Sequence, residues 1–377
     1  MSLSNRWVVI FLILPHLSIY YYRLDIVYQL TLIWQFLVVI ISLFILYRNL
    51  TTFNILLIFY MTLVIFSAFL NDTFNPGIFY SIAVFTGFCI YISYAMRNIN
   101  ELIKGLYYLF ATVVFLNFFT LLIGGIAVSP DGLSTNYLLG GKNAIAMTAL
   151  PTIPLIYLYS YMIHNKLKAF PFLLILICAV SLYLSESGTG IVISFLAILF
   201  VVLPKKYFPS FTTYFWTYIV AFFTIVVFRL QELLFGDFII NVLHKDMTFT
   251  GRTYIWDLVL NLIKKSWLIG YGRGNQIISQ HFANLNETHN GLLEIMMYSG
   301  ILGVLFFLII LLLVGHKLNS NKDHILSKIL SFSIFAYLII GLTESVFYKK
   351  EFWILLVISY GIRHIIRSLD LKKVAHR

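Results

Sequence analysis

Charged residues are scarce in this chain: Asp, Glu, Lys and Arg make up 11% of its 377 residues, while 60% are hydrophobic. A soluble protein of this size carries far more charge over its surface, so the composition excludes an ordinary globular enzyme. Apolar runs of roughly 20 residues, each long enough to cross a bilayer as a helix, recur along the sequence. The bilayer must therefore be part of this protein's solvent.

The chain also lacks the short motifs that bring nucleotides or metals into an active site. It has no phosphate-binding loop of the Walker type, no zinc signature and no Cys-x-x-Cys pair. The only two cysteines, Cys89 and Cys178, both lie inside apolar runs and are expected to be small core residues. We therefore expect no cofactor and no metal site, which leaves little support for an ATP-driven enzyme or a metal hydrolase.

The spacing of the apolar runs predicts an all-α, polytopic membrane helix bundle of about twelve transmembrane helices. We interpret residues 1–377 as a single integral membrane domain, in which no internal repeat is visible. The predicted spans lie near Trp7–Tyr22, Tyr28–Tyr47, Phe53–Leu70, Ile78–Met96, Leu102–Ile126, Asn143–Ile163, Phe170–Leu184, Gly190–Leu203, Phe211–Phe228, Asn290–Gly315, Leu326–Thr343 and Phe352–Ile366.

Basic residues alternate between the loops in a pattern that indicates orientation. With the N-terminus in the cytoplasm, most Lys and Arg residues of the short loops fall on the cytoplasmic side, with Lys349 and Lys350 as an exception. An even number of spans then places both termini in the cytoplasm. Because the net charge of +11 is spread over these short loops, it favours membrane orientation over nucleic-acid binding.

One segment, about residues 229–289, is too polar to be a span and falls on the outer side of the membrane by the same count. Within it, Arg252–Lys265 separates polar from apolar residues at helical spacing, as in an amphipathic helix that lies in the membrane interface. Arg252 and Trp256 share one face of that helix, so we expect Trp256 to anchor at headgroup depth while Arg252 binds phosphate. An arginine that only reaches toward lipid headgroups is the alternative.

Arg273 follows in a glycine-rich turn that contains Gly270, Gly272 and Gly274. The backbone N–H groups of such a turn can contact an anion. The alternative is a plain turn after a helix, which is a common use of glycine.

His289 and Asn290 stand at the head of the tenth predicted span. The helix dipole there disfavours a second positive charge, so we expect His289 to be neutral, the form that a general base needs. Asn290, Glu294 and Tyr298 recur every four residues and predict a polar stripe that faces the bundle interior. The alternative is an interfacial histidine above a helix-packing seam.

Small residues and further carboxylates complete the set of candidates. Gly300 and Gly303, on a different face of the tenth span, leave room for another helix to pack closely. Glu186 and Glu344 sit near the outer ends of their spans. Carboxylates at such positions either act on a ligand or neutralise the arginines, and the sequence leaves both open.

Together these motifs resemble the O-antigen polymerase and O-antigen ligase family of bacterial cell-envelope glycosyltransferases. The spacing of His289, Asn290, Gly300 and Gly303 is similar to the family's best-known signature, and the segment with Arg252, Trp256 and the glycine-rich turn looks like its large periplasmic loop. Asn143 resembles a polar start to a mid-chain helix in this family. One position departs: Gly188 stands where the family often has an arginine, and Arg273 is the candidate to replace it.

The resemblance implies transfer of a glycan from an undecaprenyl-diphosphate carrier to an acceptor hydroxyl at the outer face of the inner membrane. It implies two catalytic residues, His289 and Arg252, and these substrate-binding residues: Arg273, Asn290, Trp256, Glu294, Tyr298, Asn143 and Glu186. We favour a polymerase, whose acceptor is another lipid-linked repeat unit. A ligase that transfers to the lipid A core is the alternative, and a lipid-linked oligosaccharide flippase is a more distant one. The expected partners are the lipid-linked oligosaccharide, the bilayer and, for a polymerase, a chain-length regulator.

Overall fold

The chain is helical throughout most of the residues that its computed structural model describes, which are 2–48, 50–128, 135–185, 188–203, 205–230, 251–282 and 285–375. The α-helices are α1 Arg6–Ile13, α2 Asp25–Leu46, α3 Thr52–Leu70, α4 Pro76–Ala95, α5 Ile99–Leu122, α6 Lys142–His164, α7 Ala169–Leu184, α8 Gly188–Val202, α9 Phe211–Phe222, α10 Arg252–Lys265, α11 Ile277–His281, α12 Gly291–Asn319, α13 Ile325–Ile340, α14 Lys350–Tyr360 and α15 Ile362–Ala375. Two short strands, β1 Ala127–Val128 and β2 Thr135–Asn136, pair antiparallel after α5.

Several of these helices can cross a membrane. Within the described residues, five helical stretches are long and apolar enough by length and composition: α2, α3, α6, α12 and the 47 residues in which α5 follows α4. A sixth arises if α14 and the start of α15, which meet at a 54° bend, form one broken span. This confirms a helical protein with several helices that can span a bilayer, whereas the count of twelve spans stays a prediction.

The centre of the bundle is α6, because 89% of its most apolar stretch is buried, against 22% for α2. α6 packs against α5, α7, α13 and α14. On α13, Tyr337 donates a hydrogen bond to the carbonyl of Met147 on α6 over 2.7 Å. α6 is thus enclosed by protein. Most of α2 is not covered by protein, and its apolar surface suits contact with lipid. Cys89 and Cys178 are buried, as predicted.

Connections that are distant in sequence meet at one end of the bundle. Thr73, after α3, donates a hydrogen bond to the carbonyl of Arg273, between α10 and α11 (3.1 Å). Asn290, before α12, donates to the carbonyl of Leu342 in the turn between α13 and α14 (2.9 Å). Asn143, at the start of α6, reaches the same turn. Most of the predicted site residues lie at this end of the bundle.

Candidate active site at one end of the bundle

Glu344 is the side chain on which the site converges. It lies in the turn between α13 and α14 and is only 8% exposed. Its Oε1 accepts hydrogen bonds from Nη2 of Arg252 (2.6 Å) and Nδ2 of Asn143 (3.1 Å). Its Oε2 lies 3.9 Å from Nδ1 of His289. Three predicted site residues from three separate parts of the chain therefore meet at one carboxylate.

The charge of Glu344 is set by two opposing effects. Burial alone would raise the pKa of its carboxyl group, but His289 and Arg252 outweigh burial and hold that pKa below its ordinary value. The carboxylate is therefore ionised at neutral pH. It places a fixed negative charge between an arginine and a histidine.

His289 has an unusual backbone conformation, with φ at +51°. Non-glycine residues rarely adopt this left-handed region, and such outliers cluster at functional sites. The neighbouring Thr288 holds the chain there, since its hydroxyl donates to the carbonyl of Asn290 (2.7 Å) and accepts from the Asn290 N–H (3.2 Å). In the described part of the chain, Nδ1 of His289 is buried and has no hydrogen-bond partner. Its polar neighbour is the Glu344 carboxylate.

Asn290 ties the start of α12 to the turn that carries Glu344. Its Oδ1 accepts from the N–H of Leu293 and caps the helix (2.9 Å), while its Nδ2 donates to the carbonyl of Leu342 (2.9 Å). The side chain is completely buried. Both ends of the amide are thus used within the protein, and they position His289 relative to Glu344. Direct contact of Asn290 with a substrate stays a prediction.

Two glycines allow this turn to lie close to α12. A Cβ atom on Gly291 would come within 2.5 Å of the Phe347 ring, and a Cβ atom on Gly341 would come equally close to the opposite edge of that ring. Phe347 is therefore held between the start of α12 and the end of α13. The sequence alone does not reveal this contact, because these glycines lie outside the spacing motif.

Arg252 is the first residue of α10, which packs against α12. The helix is amphipathic as predicted: Ile255 and Val259 are buried, while Asp257 is exposed. Arg229 pairs with the Asp257 carboxylate and donates to the carbonyl of Thr253 (2.7 Å), which holds α10 to the end of the π-helical turn after α9. α10 therefore has a fixed position, and the Arg252 side chain remains 20% exposed.

The predicted location of Trp256 at headgroup depth is wrong. Its side chain is 0% exposed and belongs to the apolar core. Because α10 rests on protein, the face that Trp256 shares with Arg252 is covered. Contact of Trp256 with a substrate stays a prediction.

The glycine-rich turn is a packing element. Gly270, Gly272 and Gly274 all have positive φ, and a Cβ on any of them would lie within 2.6 Å of a neighbouring atom. The N–H of Tyr271 donates to the carbonyl of Met297 (2.7 Å), and that of Gly270 donates to Ser266 (3.0 Å). These two N–H groups are therefore engaged within the protein, which favours the plain-turn interpretation over an anion-binding loop.

Gly300 also has a different role from the predicted one. Its φ of +63° and ψ of −162° break the helical conformation inside α12. A Cβ there would meet the carbonyl oxygen of Leu268 at 2.2 Å, and the N–H of Ile301 donates to the carbonyl of Trp267 (2.8 Å). The glycine-rich turn therefore packs directly against Gly300. The expectation that it packs against another helix is wrong.

Arg273, in the glycine-rich turn, and Tyr298, in α12, both contact Tyr348 in the turn between α13 and α14. The Arg273 guanidinium sits 5.7 Å from the centre of the Tyr348 ring, and the Tyr298 ring is 5.3 Å from that of Tyr348. Glu294 is 6% exposed, as expected for a polar stripe that faces the interior. The turn between α13 and α14 therefore contacts Arg252 through Glu344 and Arg273 through Tyr348.

Glu186 lies outside the described residues, so its predicted role stays untested. Gly188 is the first residue of α8. Among the residues that the structure describes, no group of three or more His, Cys, Asp or Glu side chains is arranged to hold a metal ion.

The fold and site define a multi-helix protein that has several helices able to span a membrane and a charged site at one end of its bundle. Residues 173–308 match a family model described as O-antigen ligase. This match contains Arg252, the glycine-rich turn and the segment from His289 to Gly303, and it confirms the resemblance to the O-antigen polymerase and ligase family. A comparison with curated proteins found no match. Asn143 and Glu344 lie outside the matched residues, so their place at the site comes from the structure.

Proposed function

We propose that this protein is a glycosyltransferase that moves a glycan from an undecaprenyl-diphosphate carrier to an acceptor hydroxyl, and that it acts as a polysaccharide polymerase. The observation that carries the proposal is the convergence of Arg252 and His289 on the buried carboxylate of Glu344. A basic group for a phosphate and a proton acceptor for a hydroxyl are the two groups that such a transfer needs.

Arg252 is the candidate for the leaving group. A guanidinium presents five N–H donors in a planar fork, and Glu344 engages only one of its terminal nitrogens at 2.6 Å. The remaining donors suit the oxygens of a diphosphate. As the bond between the anomeric carbon and the diphosphate oxygen breaks, Arg252 would stabilise the negative charge that develops on that oxygen. Arg273 is the candidate for a second contact.

His289 is the candidate general base. Its Nδ1 is directed toward Glu344, which leaves Nε2 to take the proton of the acceptor hydroxyl as the oxygen attacks the anomeric carbon. Glu344 would orient the ring and stabilise the imidazolium that forms.

The proposed location is the inner membrane of a bacterium, as a single multi-pass domain. In this arrangement both termini are cytoplasmic, and residues 229–289 face outward together with the Glu344 turn. The distribution of Lys and Arg over the loops supports it. A lipid-linked donor can then place its chain in the bilayer while its diphosphate reaches Arg252.

An O-antigen ligase is the second candidate, because the matching family model carries that description. Both enzymes use the same donor and differ in the acceptor. Gel profiles of surface glycan separate them in cells. Loss of a polymerase leaves single repeat units attached to the lipid A core, whereas loss of a ligase leaves long chains on the carrier.

Reconstitution tests the proposal directly. The purified protein is placed in liposomes with lipid-linked repeat units, without ATP and without an ion gradient. Chain extension supports the polymerase. Movement of the lipid-linked oligosaccharide across the bilayer without extension would support a flippase and contradict the proposal.

A further inference from the structure

Four basic residues lie around the bend between α14 and α15, at the opposite end of the bundle from Glu344. They form a basic patch that consists of Arg48, Arg97, Lys317 and Arg363. α14 begins shortly after Glu344 and ends at Tyr360, where α15 turns away by 54°. Because α14 has 11 residues, about 16 Å of helix separates the patch from the candidate active site. The patch is therefore a separate surface.

Aromatic rings and a backbone carbonyl hold the cations of the basic patch. Nη2 of Arg97 donates a hydrogen bond to the carbonyl of Arg48 over 3.0 Å, and its guanidinium lies 5.0 Å from the centre of the Tyr94 ring. The Lys317 ammonium lies 5.7 Å from the centre of the Tyr360 ring. These contacts place the cations without neutralising their charge.

The bend itself joins the two sides of the basic patch. A Cβ atom on Gly361 would collide with the methyl group of Met96, so the bend packs directly against the residue that precedes Arg97. Ile362 is buried, whereas Arg363, in the first turn of α15, is exposed. The amphipathic helix α15 thus rests on the bundle through its apolar face and leaves Arg363 at the surface.

The basic patch lacks matching acidic partners. In the part of the chain that the structure describes, no carboxylate forms an ion pair with Arg48, Lys317 or Arg363. Glu101, which follows Arg97 at the start of α5, pairs with two other cations. Like charges that are gathered without a counterion repel one another. An anion bound at the patch would therefore be held favourably.

The surface beside the basic patch indicates which anion binds. Phe44 lies one helical turn before Arg48 at the end of α2, and its side chain is 76% exposed; that of Tyr47 is 92% exposed. A soluble phosphate makes no use of such a surface. A phospholipid can lay its acyl chains against Phe44 while its phosphate reaches Arg48, with Tyr47 at the depth of the headgroups.

We propose that the basic patch binds the phosphate of an anionic phospholipid in the leaflet opposite the candidate active site, which is the cytoplasmic leaflet in the proposed orientation. Arg48, Lys317 and Arg363 donate hydrogen bonds to the phosphate oxygens, and the acyl chains lie along the exposed end of α2. One lipid thereby contacts residues from α2, α12 and α15. This site does not depend on the proposed glycan transfer.

Lipid binding by the full-length protein in detergent micelles tests the basic patch. The probes are fluorescent phosphatidylglycerol, which carries a net negative charge, and phosphatidylcholine with the same acyl chains and label, which is neutral overall. We expect the wild type to bind phosphatidylglycerol more tightly. Arg48→Gln combined with Lys317→Gln should weaken binding of phosphatidylglycerol at least about tenfold and leave binding of phosphatidylcholine unchanged.

The matched control removes the same charge from another loop at the same end of the bundle. Lys166→Gln combined with Lys168→Gln changes two exposed lysines between α6 and α7, and this variant should bind phosphatidylglycerol as the wild type does. Thermal unfolding adds a second measurement. Phosphatidylglycerol should raise the midpoint of the wild type and of the control, and it should raise that of the patch variant much less.

Three results would overturn the lipid site. They are equal affinity of the wild type for the two lipids, equal binding of phosphatidylglycerol by the wild type and the patch variant, and an equal loss of binding in the control variant. Displacement of phosphatidylglycerol by inorganic phosphate would assign the patch to a soluble anion and also contradict the proposal. If the patch variant unfolds without lipid, Arg363→Gln, which changes one exposed side chain, decides by the same comparison.

Discussion

Nη2 of Arg252 donates a hydrogen bond to Oε1 of Glu344 over 2.6 Å, although 92 residues separate them in the chain. Arg252 begins α10, and Glu344 lies between α13 and α14. Their contact fixes the amphipathic helix relative to the turn that also faces His289. The pair therefore joins the proposed phosphate-binding group to the proposed base.

Replacing Glu344 by Gln keeps the shape of the side chain and removes its charge. Arg252 and His289 then lose the group that orients both, so we expect the transfer rate to fall about a hundredfold. The control is Glu101→Gln, since Glu101 forms a comparable pair with Nε of Arg6 (2.9 Å) away from the Glu344 site. Rates are measured at equal protein level in liposomes. Equal rates for the two variants would contradict the role of Glu344.

Acidic pH should remove the stabilisation that Glu344 provides. Because its pKa is lowered in the folded protein, the ionised group stabilises the fold at pH above its ordinary value of 4.5. This contribution is lost as the pH falls through the lowered value. Thermal unfolding of wild type and Glu344→Gln should therefore show a difference in midpoint that shrinks in acid. A difference that stays constant from neutral to strongly acidic pH would show that the charge does not stabilise the fold.

Gly270→Ala tests the close packing of the glycine-rich turn. The new methyl group would lie 2.6 Å from the carbonyl oxygen of Met296, and φ is +78°. Gly124→Ala is the control, because Gly124 has a similar φ of +81° with no atom within 4 Å of the added Cβ. Both variants bear the backbone cost of about 1–2 kcal/mol. We expect Gly270→Ala to lose roughly 1–3 kcal/mol more from the clash, measured by thermal unfolding. Equal losses would contradict the packing.

Asn290→Ala tests the link between α12 and the Glu344 turn. It removes the helix cap and the buried hydrogen bond to Leu342, so we expect about 2 kcal/mol of destabilisation and a lower transfer rate. Asn75→Ala removes a cap alone, at α4, and should cost about 1 kcal/mol without changing the rate. If Asn290→Ala behaves like Asn75→Ala in both measurements, Asn290 is only a helix cap.

The hydrophobic runs predicted the helical class because burial in a bilayer requires long apolar helices. The amphipathic character of α10 and the inward polar stripe at Glu294 also followed from spacing. The position of Trp256 could not be predicted this way, since spacing shows which residues share a face and does not show what covers that face. Here α12 and the rest of the core cover it.

The hydrogen-bond partners of Glu344 also could not be predicted from the sequence. Its hydrogen bonds to Asn143 and Arg252 span 201 and 92 residues, and no local pattern encodes such contacts. Gly270 and Gly300 show the same limit: both were visible as glycines, but only the fold shows that the turn at Gly270 rests on the break at Gly300.

The most direct test of the proposed mechanism is the transfer rate of His289→Asn in liposomes that contain lipid-linked repeat units. Asparagine tolerates the positive φ at this position and cannot act as the base, so the fold is kept while the proton acceptor is removed. We predict that donor binding is unchanged and that the rate falls at least about a hundredfold. Chain extension at the wild-type rate by His289→Asn would contradict the account.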